Sequence, residues 1–364
     1  VSAEPSGSGV PAAVSGTSSS SGTSSSGASS SSGVRGHRAV VTDAGAALPI
    51  APPTAGPVAI LPAGDGTALH EDAVAAAGGT VGALGADTAG LVWLDPRDPS
   101  GLADALDATP SVGWVQLPFA GVDAFAGLIA EHGDRVLFTS AKGAYAEPVA
   151  EHALALTLGT LRVLQKRARA RSWATEPEGV SLYGRNVVVI GAGGIALEYI
   201  RLLAPFEVSV TVVRRSSSPV AGADRTVTTD QLDEVLPDAD VVMIAAAMTS
   251  GTSKLFGPRQ FAIMKPSARL VNIARGGLVD TDALVDALRS GAIAAAGLDV
   301  TDPEPLPDGH PLWDQPGAII TPHQADTPEM VAPLLAERVR VNTVAFLGGA
   351  GEGFVGVVDP VAGY

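Results

Sequence analysis

Apolar residues in this chain fall into short runs separated by stretches with helical spacing. Val58–Leu61, Leu91–Leu94, Val112–Gln116 and Val136–Phe138 read as strands, and Ala39–Thr42 precedes them as a further one. Helical spacing appears at Ala68–Ala77, Leu102–Leu106 and Val122–Ala130. Strands alternating with helices predict βαβ units and a parallel sheet. The stretch Ala146–Leu164 is apolar nearly all round. That pattern predicts one long helix buried between two bodies, and the crossing between domains is placed there. A second series follows, with strands expected at Val187–Ile190, Val208–Val213, Val241–Ala245, Leu270–Ile273, Ala294–Leu298 and Ala318–Ile320. Six strands with intervening helices is the count of a doubly wound dinucleotide-binding sheet. Thr281–Leu288 is expected to be helical, capped by Asp280 or Thr281 and stopped by Gly291. A last helix, Pro328–Phe346, is expected to return to the first body.

Composition adds three restrictions. Ser15–Gly33 is almost entirely Ser, Gly, Thr and Ala, so residues 1–35 are expected to be a disordered tail. The chain has no cysteine, which excludes disulfides, thiolate metal sites and a cysteine nucleophile; no metal site is expected. The net charge of −15 disfavours nucleic acid and anionic membranes as partners. No apolar run reaches the roughly 18 residues of a membrane span, and Val1–Pro11 lacks a signal-peptide pattern. Cytoplasm is the default expectation.

An anionic ligand therefore needs local positive charge and oriented N–H groups. One such place is Gly191-Ala192-Gly193-Gly194-Ile195-Ala196, after a strand and before an expected helix Ala196–Leu203. In this G-x-G-x-x-A pattern Gly191 permits the tight turn and Gly193 admits a pyrophosphate to the backbone. Ala196 is small enough for close helix–strand packing, and the helix N-terminus faces the phosphates. The next strand runs into Arg214-Arg215-Ser216. An acidic residue there would bond a ribose 2′-hydroxyl, whereas arginine suits a 2′-phosphate. NADP(H) is therefore favoured, with NAD(H) possible if the arginines only stack on adenine or face solvent.

Three further segments each follow an expected strand: Val271–Asp280 containing Arg275, Ala296–Pro307 containing Asp299 and Glu304, and Thr321-Pro322-His323. Ligands of open α/β sheets bind beyond the carboxyl ends of strands, so Arg275, Glu304 and His323 can converge. Histidine can give and retake a proton near neutral pH. A carboxylate beside it favours the imidazolium, and arginine can hold a carboxylate as a planar fork. Together with Trp114–Pro118, Gly121-Val122-Asp123, Ala150–Ala153, Leu182-Tyr183-Gly184, Met248–Thr252 and Met264-Lys265-Pro266, these segments resemble the D-isomer-specific 2-hydroxyacid dehydrogenase family from about Gln116 onward.

The resemblance implies a Rossmann cofactor domain over 146–327 and a flavodoxin-like substrate domain from 36–145 and 328–364. It implies catalytic roles for Arg275, Glu304 and His323. The substrate's carboxylate is expected at Phe119, Ala120 and Gly121 as well as Arg275, and Asp299 is expected to orient the nicotinamide carboxamide. Cofactor contacts are expected from Gly191, Gly193, Gly194, Ile195, Arg214, Arg215, Ser216, Ala246, Thr252, Ile273, Ala274, Arg275, Asp299, His323 and Ala325. The implied reaction moves a hydride between a nicotinamide cofactor and a small 2-keto or 2-hydroxy acid, in a homodimer. A second reading is a non-catalytic, dinucleotide-sensing protein of the same fold, which would not need all three catalytic residues.

The chain departs from the family pattern in Gln324-Ala325-Asp326-Thr327 after His323, in Ala247 before the Met-Thr pair, and in the bulky Phe119. These bear on pocket shape. Glu304 stands where the formate-oxidising branch has Gln, which disfavours formate. Arg97, Arg135 and Lys142 are the only basic residues between His70 and Leu161, so a phosphorylated substrate ranks low. His37, His70, His132 and His310 are expected at the surface, and His152 is expected to support the crossing helix.

Overall fold

The computed structural model describes residues 37–38, 48–64, 66–173, 175–349 and 351–360. The expected strand Ala39–Thr42 and the Ser-rich tail lie outside them. The first series runs β1 (Val58–Leu61), α1 (Ala68–Ala76), β2 (Gly90–Trp93), α2 (Pro99–Ala108), β3 (Trp114–Gln116), α3 (Ala126–His132) and β4 (Leu137–Thr139). Its strands pair in parallel in the order β1-β2-β3-β4.

Next come α4 (Ala146–Leu161) and α5 (Leu164–Arg169). α4 stops short of the expected Leu164 because Val163 turns left-handed, with φ 49°. As its all-round apolar surface predicts, α4 packs on one side against α6 (Gly194–Leu203) and on the other against the second sheet. Gly297 of that sheet lies against the Leu156 side chain, and Gly159 of α4 lies against Ile319. A β-carbon at Gly297 would press on the Leu156 β-carbon and separate helix from sheet, whereas one at Gly159 would displace only the tip of the Ile319 side chain.

The second series comprises β5 (Asn186–Ile190), β6 (Ser209–Arg214), β7 (Arg225–Thr228), α7 (Leu232–Val235), β8 (Val241–Ile244), α8 (Pro258–Ile263), β9 (Arg269–Asn272), α9 (Thr281–Ser290), β10 (Ala295–Leu298) and β11 (Ala318–Ile320). Among the described residues the sheet has seven parallel strands rather than the six expected, in the order β11-β10-β9-β8-β5-β6-β7. β7 escaped the sequence pattern because it reads Arg-Thr-Val-Thr at the sheet edge and buries only Val227. The order reverses between β5 and β8, and that switch point is where a doubly wound sheet opens a ligand crevice. α9 carries both expected stops: Asp280 accepts from Ala283 N at 3.2 Å, and Gly291 sits at φ 73°.

The last helix, α10 (Pro328–Gly348), packs on α1. Arg338, only 1% exposed, donates to the carbonyls of Ser140 (2.7 Å) and Lys142 (2.9 Å). The Asn342 amide donates to Gln116 Oε1 at 2.7 Å and to the Val355 carbonyl at 2.9 Å. These bonds satisfy polar groups that would otherwise be costly to bury.

Two histidines depart from expectation. His70 and His132 are buried, because each lies on the inward face of its amphipathic helix. Burial holds the His70 imidazole below its ordinary pKa, against a weaker upward pull from the Gly66 backbone. His132 Nδ1 accepts from Arg135 at 3.1 Å. Among the described residues no helix is long and apolar enough to cross a membrane.

Candidate active site

The phosphate loop leaves β5 at the switch point. Gly191 adopts φ 104°, and a β-carbon there would stand 2.7 Å from the Ala245 carbonyl oxygen at the end of β8. Nothing lies within 4 Å of the β-carbon position of Gly193, so the backbone is open where a phosphate would approach. Gly194 begins α6, a ten-residue helix, and Ala196 on its inner face is fully buried. This arrangement fits a pyrophosphate group. Arg214 ends β6 half-buried, with Arg215 exposed and Ser216 half-buried beyond it. Across the crevice, Ala246 follows β8, and Thr252 folds back to donate to the Ala247 carbonyl at 2.9 Å.

The loop after β9 is shaped by Asn272, which is fully buried. Its amide donates to the Arg275 carbonyl at 2.9 Å, and its oxygen accepts from Ala274 N at 3.1 Å. The clamp fixes Ile273, Ala274 and Arg275 beyond the strand end. The Arg275 guanidinium reaches the loop after β3, where it lies against the α-carbon of Gly121; a β-carbon there would collide with Nη2. Phe119 and Ala120 of the same loop are exposed. Tyr145 holds this loop from below, donating its hydroxyl to the Pro118 carbonyl at 2.6 Å. Burial, with Asp326 adding to it, pushes the Tyr145 phenol above its ordinary pKa, against a downward pull from Arg338. The hydroxyl therefore stays a donor.

His323 follows β11 in a left-handed conformation, φ 53°. Its Nδ1 lies 2.6 Å from Glu304 Oε1. Both side chains are about half exposed. The loop carrying His323 is organised by Asp299, 2% exposed. Asp299 Oδ1 accepts from the Thr321 hydroxyl at 2.6 Å and from Gln324 N at 3.0 Å. Oδ2 accepts from Ala325 N at 3.0 Å, and the Asp299 carbonyl accepts from His323 N at 2.8 Å. The sequence reading expects this carboxylate beside the nicotinamide carboxamide; within the chain its two oxygens also accept from two successive backbone N–H groups of the His323 loop. His152 likewise does more than support its own helix: Nε2 stands 2.9 Å from Thr321 Oγ1 and 3.5 Å from Asp299 Oδ1.

Arg275, Glu304 and His323 thus follow the carboxyl ends of the neighbouring parallel strands β9, β10 and β11, on the same sheet edge as the phosphate loop after β5, and the Gly121 loop meets Arg275. Sequence reasoning missed Asn272, Thr321 and Tyr145 as positioning groups, and Asp123 as the partner of Arg275. Only Asn272 carried a signal, as a polar residue ending an otherwise apolar strand.

Asp326 adds a carboxyl among these groups. Burial raises its pKa, and Asp299 raises it further, while His323 and His152 pull it down. A raised folded-state pKa means that the folded chain holds the proton after the unfolded chain has lost it, so stability falls as pH rises through that window. Asp326→Asn is therefore expected to raise the melting temperature at pH 7–8. The gain should vanish toward pH ~3.5, below the ordinary carboxyl range. A gain of equal size at both pH values would contradict this account.

A doubly wound sheet with an open glycine loop at its switch point, facing a histidine–carboxylate pair and an arginine, defines a nicotinamide-dependent oxidoreductase. Comparison with known proteins makes the class specific. Residues 152–325 match the model for the NAD binding domain of D-isomer specific 2-hydroxyacid dehydrogenases. The chain is 40% identical over 265 residues to an uncharacterised protein of Corynebacterium melassecola, covering 71% of this chain and 86% of that protein. It is 34% identical over 267 residues to glyoxylate/hydroxypyruvate reductase B of Pectobacterium atrosepticum, covering 70% of this chain and 78% of the relative. With three further curated relatives the match spans 62%, 51% and 54% of the relative's length. Among solved structures, a D-isomer specific 2-hydroxyacid dehydrogenase from Xanthobacter autotrophicus Py2, in complex with NADPH and MES, superposes with a TM-score of 0.72 at 26% identity. That match covers 85% of this chain and all of the other. The chain belongs to the D-isomer specific 2-hydroxyacid dehydrogenase family. This places it among NAD(P)-dependent oxidoreductases that act on 2-hydroxy and 2-keto acids.

Proposed function

We propose that this chain reduces a small 2-keto acid, such as glyoxylate or hydroxypyruvate, to the D-2-hydroxy acid. The observation that carries this reading is the 2.6 Å contact between His323 Nδ1 and Glu304, on the sheet edge that also carries Arg275. With Nδ1 on Glu304, Nε2 is the ring nitrogen left to meet a substrate oxygen. Glu304 fixes the ring's direction, so His323 can hand a proton to the carbonyl oxygen and retake it in the reverse reaction. Arg275 binds the substrate carboxylate by charge-assisted N–H bonds and polarises the neighbouring carbonyl. Backbone N–H groups of Ala120 and Gly121 complete the anchor. Asp299, Thr321 and His152 hold the His323 loop in place. A nicotinamide dinucleotide, when bound, supplies the hydride.

Gly191, Gly193, Gly194 and Ile195 would hold its pyrophosphate, with Ala246, Thr252, Ile273, Ala274 and Ala325 along the crevice. Arg214, Arg215 and Ser216 favour a 2′-phosphate, hence NADP(H) over NAD(H). In this reading residues 146–327 form the cofactor domain, and 36–145 with 328–364 form the substrate domain. A homodimer in the cytoplasm accords with the family resemblance. The test is oxidation of NADPH and of NADH, followed at the nicotinamide absorbance, against a panel of 2-keto acids. Turnover faster with NADPH is expected. Silence across the panel with cofactor binding intact would overturn the reading.

A further inference from the structure

We propose that Asp123 is a specificity-determining residue, which presets Arg275 and restricts the site to 2-keto acids with a single negative charge. The inference rests on the proposed 2-keto acid reduction and adds the substrate's charge class. Asp123 lies two residues beyond Gly121, on the loop that follows β3. One of its oxygens, Oδ2, accepts from both Nε (3.2 Å) and Nη2 (3.0 Å) of Arg275. Arg275 Nη1 donates to the Ala274 carbonyl at 2.7 Å.

A guanidinium has five N–H donors. Three are engaged by these bonds. The bond from Nη1 turns back toward the arginine's own main chain, and the bonds to Asp123 occupy the Nε side. The remaining pair lies on the far edge, between Nη1 and Nη2. Gly121, which has no β-carbon to displace the guanidinium, leaves room for this pose. A substrate carboxylate therefore meets Arg275 end-on, by two parallel N–H groups.

The pairing also sets the charge of the anchor. Asp123 offsets the positive charge of Arg275 before substrate arrives, and at 71% side-chain exposure it is open to solvent rather than shut away. One substrate carboxylate then brings the local balance to −1. A second carboxylate, on the substrate's third carbon, falls within roughly 8 Å of Asp123, where like charges repel appreciably. Selectivity arises from an unfavourable contact with the wrong ligand, built beside a favourable one with the right ligand.

The test compares oxaloacetate with 2-ketobutyrate, which share a four-carbon chain and differ by one carboxylate. Steady-state kcat/KM is measured with NADPH for the wild type, Asp123→Asn and Asp123→Ala. Wild type is expected to prefer 2-ketobutyrate. Asp123→Asn keeps the acceptor and removes the charge, and should shift the ratio toward oxaloacetate about tenfold, through KM rather than kcat. Asp123→Ala loses the brace as well, so it should show the same shift in ratio with KM raised for both acids. NADPH binding and melting temperature report that the variants are folded. An unchanged ratio in Asp123→Asn, or an equal effect on both acids, would overturn the proposal. A wild type that binds NADPH and reduces no 2-keto acid, glyoxylate included, would instead overturn the reading beneath it.

Discussion

His323→Ala is expected to lower kcat by about two to four orders of magnitude while leaving NADPH affinity nearly unchanged. The ring has Nδ1 on Glu304, and its loop is held by Asp299 through backbone bonds that alanine would keep. What is lost is the proton donor. Because His323 lies at φ 53°, alanine also introduces backbone strain. His323→Asn is the matched control, since asparagine tolerates that conformation and cannot serve as an acid near neutral pH. Both variants should show the same loss of kcat, measured under saturating substrate. A folded variant that failed to bind NADPH would contradict the assigned role.

The second large effect is expected at the phosphate loop. Gly191→Ala places a side chain at φ 104°, 2.7 Å from the Ala245 oxygen and 2.9 Å from its carbonyl carbon. Neither atom can move without disturbing β8, the strand beside the loop. The strain of such a conformation is of order 1–3 kcal/mol. The melting temperature should accordingly fall by several degrees, roughly 2–4 °C per kcal/mol for a domain of this size. A displaced loop no longer lines up its N–H groups on the pyrophosphate, so NADPH affinity, read by fluorescence titration, should drop at least about tenfold. Wild-type affinity and melting temperature together would contradict the close approach of these strands.

The strands of this fold were legible because most are short runs dominated by apolar residues, as parallel strands covered on both faces are. β5 and β8 bury nearly every residue and were found within a position or two. β7 was not, because an edge strand needs no apolar run. The end of α4 was also misplaced: Val163 is apolar and fits the helical pattern, and only its backbone turn marks the stop. At the site, Arg275, Glu304 and His323 were readable because their chemistry is scarce and each follows a strand. The supporting groups were not, because nothing local in sequence ties Asp299 to backbone N–H groups more than twenty residues away, or Asp123 to an arginine 152 residues on. The surface assignment of His70 and His132 failed for a related reason, since polarity says little about which face of a short helix turns inward.

The bonds from α10 back to the first sheet have a bearing on how the chain is made. Asn342 meets Gln116 across 226 residues of sequence, and Arg338 meets Ser140 across 198. A ribosome that has just released Ile320 has produced every strand of the second sheet, yet the first sheet still lacks the helix that covers it. The earliest strands synthesised are therefore among the last to complete their packing, the reverse of the N-terminal-first order usual for multidomain chains. Until α10 emerges, the nascent protein carries every strand of the second sheet and a first sheet whose α10-facing surface is still exposed to whatever else is in the solution.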